Sequence, residues 1–324
     1  MIYDFKFRPR RLRNHARLRD MVRENQVTTD DLIYPMFVSH EQGLQKPIGS
    51  MPGCFQWGVD RIGEECKKVE DLGIPAVILF GIPEEKDELG TSAYAEHGVI
   101  PQAIDAIKKA CQSLLVITDV CMCEYTSHGH CGILEGERIL NDPTVESLCR
   151  EALTHVQAGA DMVAPSDMMD GRVQAIRETL DEEGYHYTPI MAYSVKYSSG
   201  YYGPFRDAAE STPAFGDRRS HQMDPANRLE ALRQAEIDVD SAADIIMVKP
   251  GLPYLDIIRD LRNNFNLPIA TYNVSGEYSM IKAAAERGWI DEKRVVMENM
   301  TAFKRAGADM ILTYHALDVA QWVK

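Results

Sequence analysis

The chain has 324 residues, 45% hydrophobic and 26% charged, which fits a globular protein large enough for one big domain or two ordinary ones. A formal net charge of −14 opposes binding to a polyanion, and no apolar run is long enough to cross a bilayer, so neither nucleic acid nor membrane is expected as a partner. The seven cysteines are an odd number, three of them clustered between Cys121 and Cys131, which argues against a disulfide framework and for a reducing compartment, the cytoplasm, with a metal or reactive site.

The N-terminus, MIYDFKFRPRRLRNHARLRD, is rich in arginine and lacks the apolar stretch of a secretory signal. Residues 1–27 read as a basic arm that packs on an acidic surface of a second subunit, and residues 28–324 as the main domain. The first strand is expected at Leu32–Val38, with Pro35 as its weak point. A helix over Asp60–Leu72 stops at Gly73. The pattern then gives a strand at Ala76–Phe80, a helix at Val99–Cys111, a strand at Leu114–Asp119, a helix at Thr144–Ala158 and a strand at Met162–Ala164. A helix at Gly171–Glu183 leads to a fifth strand, Ile190–Tyr193, and a helix at Pro225–Ala243 leads to a sixth, Ile245–Lys249. A helix at Tyr254–Phe265, a strand at Ile269–Tyr272, helices at Glu277–Arg287 and Glu292–Ala306, and a strand at Met310–Thr313 complete the chain.

Eight strands alternating with helices require parallel pairing through helical crossovers, and a (β/α)₈ barrel accommodates them better than an open sheet. A weak internal echo supports a βα repeat: Ala158-Gly159-Ala160-Asp161-Met162-Val163 recurs as Ala306-Gly307-Ala308-Asp309-Met310-Ile311, and more loosely as Ala242-Ala243-Asp244-Ile245-Ile246. No Gly-x-Gly-x-x-Gly follows the first strand and no phosphate loop is present, which leaves nucleotide folds without support. Two loops, Val120 to about Asn141 and Lys196 to about Asp224, are longer than connection requires and fall where barrel chemistry gathers.

Four constellations carry chemistry. Cys121, Cys123 and Cys131 have a spacing that lets three thiolates converge on one zinc with the fourth position open; His128 or His130 could close it, and ordinary free thiols are the metal-free alternative. Lys249 ends the buried run Ile245–Lys249 before Pro250-Gly251, and Lys196 ends the run before it, so the two are expected as neighbours at the barrel mouth. Burial and mutual repulsion are expected to lower both amines, and a fall of about three pKa units corresponds to roughly 4 kcal/mol. A neutral lysine of this kind attacks carbonyls to form imines. The loop from Gly200 to Arg219 has the glycines of a mobile lid, and its arginines could clamp a carboxylate. Ser275 is placed as the N-cap of a helix whose free N–H groups suit a carboxylate, and Tyr314 points to the same rim.

Taken together, Arg-Pro-Arg-Arg-Leu-Arg in the arm, the three-cysteine loop, Met191-Ala192-Tyr193-Ser194-Val195-Lys196-Tyr197, Phe215-Gly216-Asp217-Arg218-Arg219 and Met247-Val248-Lys249-Pro250-Gly251 resemble the porphobilinogen synthases, also called δ-aminolevulinic acid dehydratases. The resemblance spans nearly the whole chain. It implies a (β/α)₈ barrel with an arm that wraps a neighbour in a homo-octamer, and condensation of two 5-aminolevulinate molecules to porphobilinogen with loss of two waters in tetrapyrrole synthesis. It implies Schiff bases on Lys196 and Lys249, an active-site zinc on Cys121, Cys123 and Cys131, Arg206 and Arg218 on the carboxylate of the second substrate, and Ser275 and Tyr314 on that of the first. Many bacterial members carry a glutamate fifteen positions before the second lysine, at an allosteric magnesium; this chain has Gln234 there, so weak or absent magnesium activation is expected. Two rivals follow from the residues alone. A metal-free Schiff-base aldolase leaves the cysteine triad idle, and a non-catalytic zinc or thiol redox module leaves the paired lysines idle.

Overall fold

The computed structural model describes residues 6–324. Its centre is a ring of eight strands: β1 (Leu32–Ser39), β2 (Ala76–Ile82), β3 (Leu115–Val120), β4 (Met162–Pro165), β5 (Met191–Lys196), β6 (Ile245–Lys249), β7 (Ile269–Asn273) and β8 (Met310–Thr313). Neighbours pair in parallel in the order β4-β3-β2-β1-β8-β7-β6-β5. The ring closes where Val163 of β4 bridges Ile190 and donates its N–H to Pro189 O at 3.2 Å. This is the expected (β/α)₈ barrel.

Eleven α-helices are described: α1 (Ala16–Met21), α2 (Ile62–Asp71), α3 (Val99–Ala110), α4 (Asn141–Gln157), α5 (Arg172–Glu182), α6 (Gly203–Ala208), α7 (Leu229–Asp240), α8 (Leu255–Asn264), α9 (Ser275–Glu286), α10 (Glu292–Ala306) and α11 (Ala316–Trp322). None is long and apolar enough to cross a membrane among the described residues. Strand residues alternate between two cores, as the two-residue period of a strand requires. Ile78, Phe80, Met191, Tyr193, Met247, Ala270 and Tyr272 fill the barrel, whereas Val77, Leu79, Val116, Ala192, Ile246 and Val248 pack under the helices.

The echo noticed in the sequence has a physical role. Asp161, Asp244 and Asp309 each precede a strand, and their carboxylates accept the N–H of Val116, Ile190 and Ile269 at 2.6, 2.8 and 2.8 Å. Each aspartate therefore pins the start of the neighbouring strand at the bottom of the barrel. Gly159 and Gly307 precede two of them with φ of 106° and 121°, where a side chain would be strained.

Beyond the end of β5, which runs on from Tyr193 to Lys196, three expectations change for identifiable reasons. Pro35 does not interrupt β1, because on one side β1 pairs with β8 at Leu32–Ile33 and with a short strand, Phe55–Gly58, at Phe37–Ser39. Pro35 falls in the gap, so its missing N–H costs no ladder bond on that side. Helix α7 starts at Leu229 rather than Pro225, since Asp224 accepts the N–H of Ala226 and of Asn227 in a local turn. Helix α9 starts at Ser275 rather than Glu277, with Val274 at the N-cap.

Ahead of the barrel, the arm forms a 3₁₀ turn at Pro9–Arg13 and α1, with no buried residue in either. The long loops have structure of their own: a short hairpin of Leu134–Glu135 with Arg138–Ile139 after β3, and a 3₁₀ turn at Gly200–Tyr202 followed by α6 after β5.

Candidate active site

Lys196 and Lys249 are the last residues of β5 and β6, and they are register partners. Both are buried. A register shift between Ile246 and Val248 precedes them and brings both amines over one ring, that of Tyr193, at 5.6 Å for Lys196 and 5.1 Å for Lys249. The expected juxtaposition of two strand-end lysines is what the structure has.

Their surroundings differ. Lys249 Nζ also faces Tyr202, Phe205 and Tyr272 at 5.4, 5.1 and 4.5 Å from the ring centres. Burial first, then the Lys196 charge, pull its pKa down to about 7. Lys196 donates instead to the Ser166 carbonyl. Burial pulls it down too, but the sulfurs of Cys131 and Cys121, followed by Asp119, outweigh burial and leave it above the ordinary lysine value. The expectation that both amines are depressed is corrected for Lys196, because the thiol cluster lies beside it.

That cluster follows β3. Cys121, Cys123 and Cys131 are buried, with the three Sγ atoms within 4.8 Å of one another and Cys121 and Cys123 at 3.4 Å. A tetrahedral zinc with bonds of about 2.3 Å asks for sulfurs about 3.8 Å apart, so the donor set fits. Hydrogen bonds from Cys121 and Cys123 hold Cys131 well below the usual thiol range, and the same sharing pushes Cys121 up. Three sulfurs this close together could hold a metal ion. Neither His128 nor His130 joins the three sulfurs in one ligand cluster among the described residues, and their Nε2 atoms pair with the carbonyls of Glu88 and Phe215 at 3.2 and 3.1 Å. Cys54, Cys66 and Cys111 are buried elsewhere and Cys149 is half-buried, as expected of packing residues.

Two buried acids complete this wall, and neither was singled out from sequence. Asp119, at the end of β3, accepts from Ser166 Oγ at 3.0 Å; burial and then Glu124 raise its pKa to about 8. Glu124 lies 3.1 Å from Cys123 Sγ and is pushed well above the carboxylate range by burial and then by Cys123.

The lid folds over the amines. The Tyr202 hydroxyl donates to the carbonyls of Tyr197 and Lys249 at 2.7 and 3.2 Å. The Phe205 N–H donates to Ser275 Oγ at 2.9 Å. Ser275 is thus not the N-cap; it lies one residue inside α9 and latches the lid. Glu277 does the capping work with its carboxylate, which accepts from Val274 N and Leu252 N. Arg218 is buried beside the sulfurs, with Nη2 donating to Gly129 O at 2.9 Å and Ser211 O at 2.7 Å. Arg206 is half-buried, and its Nε has no partner. Tyr314 shares a 2.9 Å hydroxyl–hydroxyl bond with Tyr272 and stacks on Phe37.

Phe80, Asp119, Cys123, Glu124, Ser166, Lys196, Tyr202, Phe205, Arg206, Arg218 and Lys249 enclose a cavity of about 20 Å³, room for about one water. Gln234 is remote from it, on a separate cleft of about 570 Å³ shared with Glu230, Asp224 and Arg219. The rings that face Lys249 had no role from sequence because they come from three segments, β5, the lid and β7. The one local signal was the aromatic density of Tyr201-Tyr202 and Phe205 close after a strand-end lysine.

Residues 6–322 match the family model described as delta-aminolevulinic acid dehydratase. The delta-aminolevulinic acid dehydratase of Synechococcus elongatus is 58% identical over 320 residues, covering 98% of each chain. That of Halalkalibacterium halodurans is 55% identical over 316 residues, covering 98% of this chain and 96% of its own. Among solved structures, the delta-aminolevulinic acid dehydratase (porphobilinogen synthase) of Toxoplasma gondii, in complex with the reaction product porphobilinogen, is 47% identical, with a TM-score of 0.96 over 98% of this chain and 92% of its own.

Proposed function

The chain is an enzyme of the delta-aminolevulinic acid dehydratase, or porphobilinogen synthase, family, and from that premise we propose that it condenses two 5-aminolevulinate molecules to porphobilinogen through imines on Lys249 and Lys196, in cytoplasmic tetrapyrrole synthesis. The observation that carries this reading is the pairing of the two buried lysines in register, one against rings and the other against thiols.

Lys249 is the better nucleophile at rest, since an amine titrating near 7 has a large neutral fraction at neutral pH, which an ordinary lysine lacks. It takes the first substrate, whose carboxylate is held by Ser275 and Tyr314. Lys196 takes the second, with Arg206 and Arg218 on its carboxylate. Asp119, titrating near 8 and with Oδ1 unpartnered, is suited to hold and return a proton beside Lys196. Holding two identical substrates side by side removes much of the entropy barrier to joining them. The 20 Å³ cavity is far below the ~300 Å³ of a ligand site, so the lid opens to admit substrate and closes to exclude the water that hydrolyses imines.

A zinc ion held by Cys121, Cys123 and Cys131 would supply a Lewis acid with an open position at the second substrate. Gln234 offers a hydrated magnesium only a neutral amide, so magnesium activation is weak or absent. The arm leaves Phe7, Leu12 and Met21 exposed on the single chain, apolar surface that a second copy would cover in an oligomer, an octamer by family resemblance. Incubation with 5-aminolevulinate followed by a colour assay for pyrrole tests the reaction. Pyrrole formation that is lost on chelation and restored by zinc is expected, and no pyrrole from the metal-loaded protein would refute the reading.

A further inference from the structure

Four aromatic rings surround the Lys249 nitrogen, and they have two origins. Tyr193 and Tyr272 are fixed on β5 and β7, whereas Tyr202 and Phe205 belong to the lid. Lys196 rests on a carbonyl, that of Ser166. Among the described residues Lys249 Nζ has ring faces and no hydrogen-bond acceptor. We propose that the lid supplies catalytic residues as well as a cover: Tyr202 and Phe205 complete an aromatic cage that stabilises the cationic imine formed on Lys249. This deepens the imine reading above and rests on it.

The cage suits an iminium better than an ammonium. An ammonium has three N–H donors and needs acceptors for them; ring faces are poor substitutes. An iminium has one N–H and spreads its charge onto carbon, the kind of soft cation that aromatic cages bind. When Lys249 reacts, its nitrogen bonds to the ketone carbon. One of its two N–H protons and one proton from solvent leave with the ketone oxygen as water, and the nitrogen keeps the other N–H and the positive charge. The amine that attacks is the uncharged form, so within that step the rings gain strength only as the cationic imine appears, which is how a contact favours a reaction and not mere binding. The Tyr202 hydroxyl donates to Lys249's own carbonyl, so seating the lid and completing the cage are one event.

The test uses two ligands of nearly equal size on the metal-loaded protein. 4-Oxopentanoate has the carboxylate and the ketone and can form the imine; pentanoate has the carboxylate alone. Affinity for the first is read from the mass of the borohydride-trapped Lys249 adduct against concentration, and affinity for the second by competition. Phe205→Leu keeps an apolar lid and removes a ring. It should weaken 4-oxopentanoate about tenfold more than pentanoate, the scale of one desolvated cation–ring contact, and Phe205→Trp should restore the difference. Tyr202→Leu, read the same way, repeats the test if Phe205→Leu does not fold. Equal weakening of both ligands, or none, would overturn the cage and reduce the lid to packing. Absence of any adduct in the unsubstituted protein would overturn the imine itself, a result visible before any variant is made.

Discussion

Lys249 and Lys196 stand side by side with opposite titration behaviour, and the cause is local. Burial and then the neighbouring Lys196 charge disfavour charge on Lys249; sulfurs and Asp119 favour it on Lys196. Trapping of 4-oxopentanoate on Lys249 should therefore rise as pH increases through about 7 and level off above it. Below that value the ammonium form dominates, and the rate falls about tenfold per pH unit because only the neutral amine attacks. A trapping profile that climbs steadily toward pH 10 would show an ordinary lysine and contradict the environment described. Lys196→Met should still give the Lys249 adduct by mass but form no pyrrole; a variant that makes pyrrole would remove Lys196 from the reaction. At this scale the sequence was informative about the lysines and the thiols, whose types and spacing announce their chemistry. It was silent about Asp119 and Ser166, since what matters there is a carboxylate and a carbonyl brought to one point by two strands.

Helix α9 and the lid meet closely enough to set how far the lid can close. A Cβ on Gly276 would lie 2.5 Å from Tyr201 O and 2.9 Å from Tyr201 Cα. Gly276→Ala should keep the barrel folded, since alanine suits the first turn of a helix, yet hold the lid open. A displacement of this size predicts about a hundredfold loss in kcat/KM with little change in thermal unfolding, and unaltered kinetics would show that the lid does not seat there. At the opposite end of the barrel, Asp309 binds Ile269 N–H and pairs with Arg262. Asp309→Ala should lower stability by about 1–3 kcal/mol, read as a shift of the urea midpoint, because a strand-end donor loses its acceptor. The strands were legible because buried runs bounded by breakers have few alternatives, and β6, α10 and β8 fall where they were expected. The start of α9 was not, because Glu277 reaches back to cap it from inside, and a cap read at Ser275 then looked natural. That shift changed the meaning of Ser275 from cap to lid latch.

For the whole molecule, a closed barrel brings the end of β3 with its thiols, the end of β5 and the end of β6 to one rim, which no local pattern could specify. The alternation of strands and helices made the barrel legible; the lid's seating and the cage depend on contacts between segments far apart in sequence. Metal removal separates the two halves of the site. Chelation should abolish pyrrole formation while 4-oxopentanoate still traps on Lys249, whose walls are rings; loss of both would show that the thiol cluster also shapes the first subsite. Deletion of residues 1–27 should leave the barrel folded and lower the oligomer mass in solution; an unchanged mass would deny the arm a role in assembly.

The most direct test of the central claim is borohydride reduction in the presence of 5-aminolevulinate, followed by peptide mass mapping. Substrate-derived mass is expected on the peptide carrying Lys249 and, with metal bound, on the peptide carrying Lys196. A protein that forms porphobilinogen while both peptides remain unmodified would contradict it.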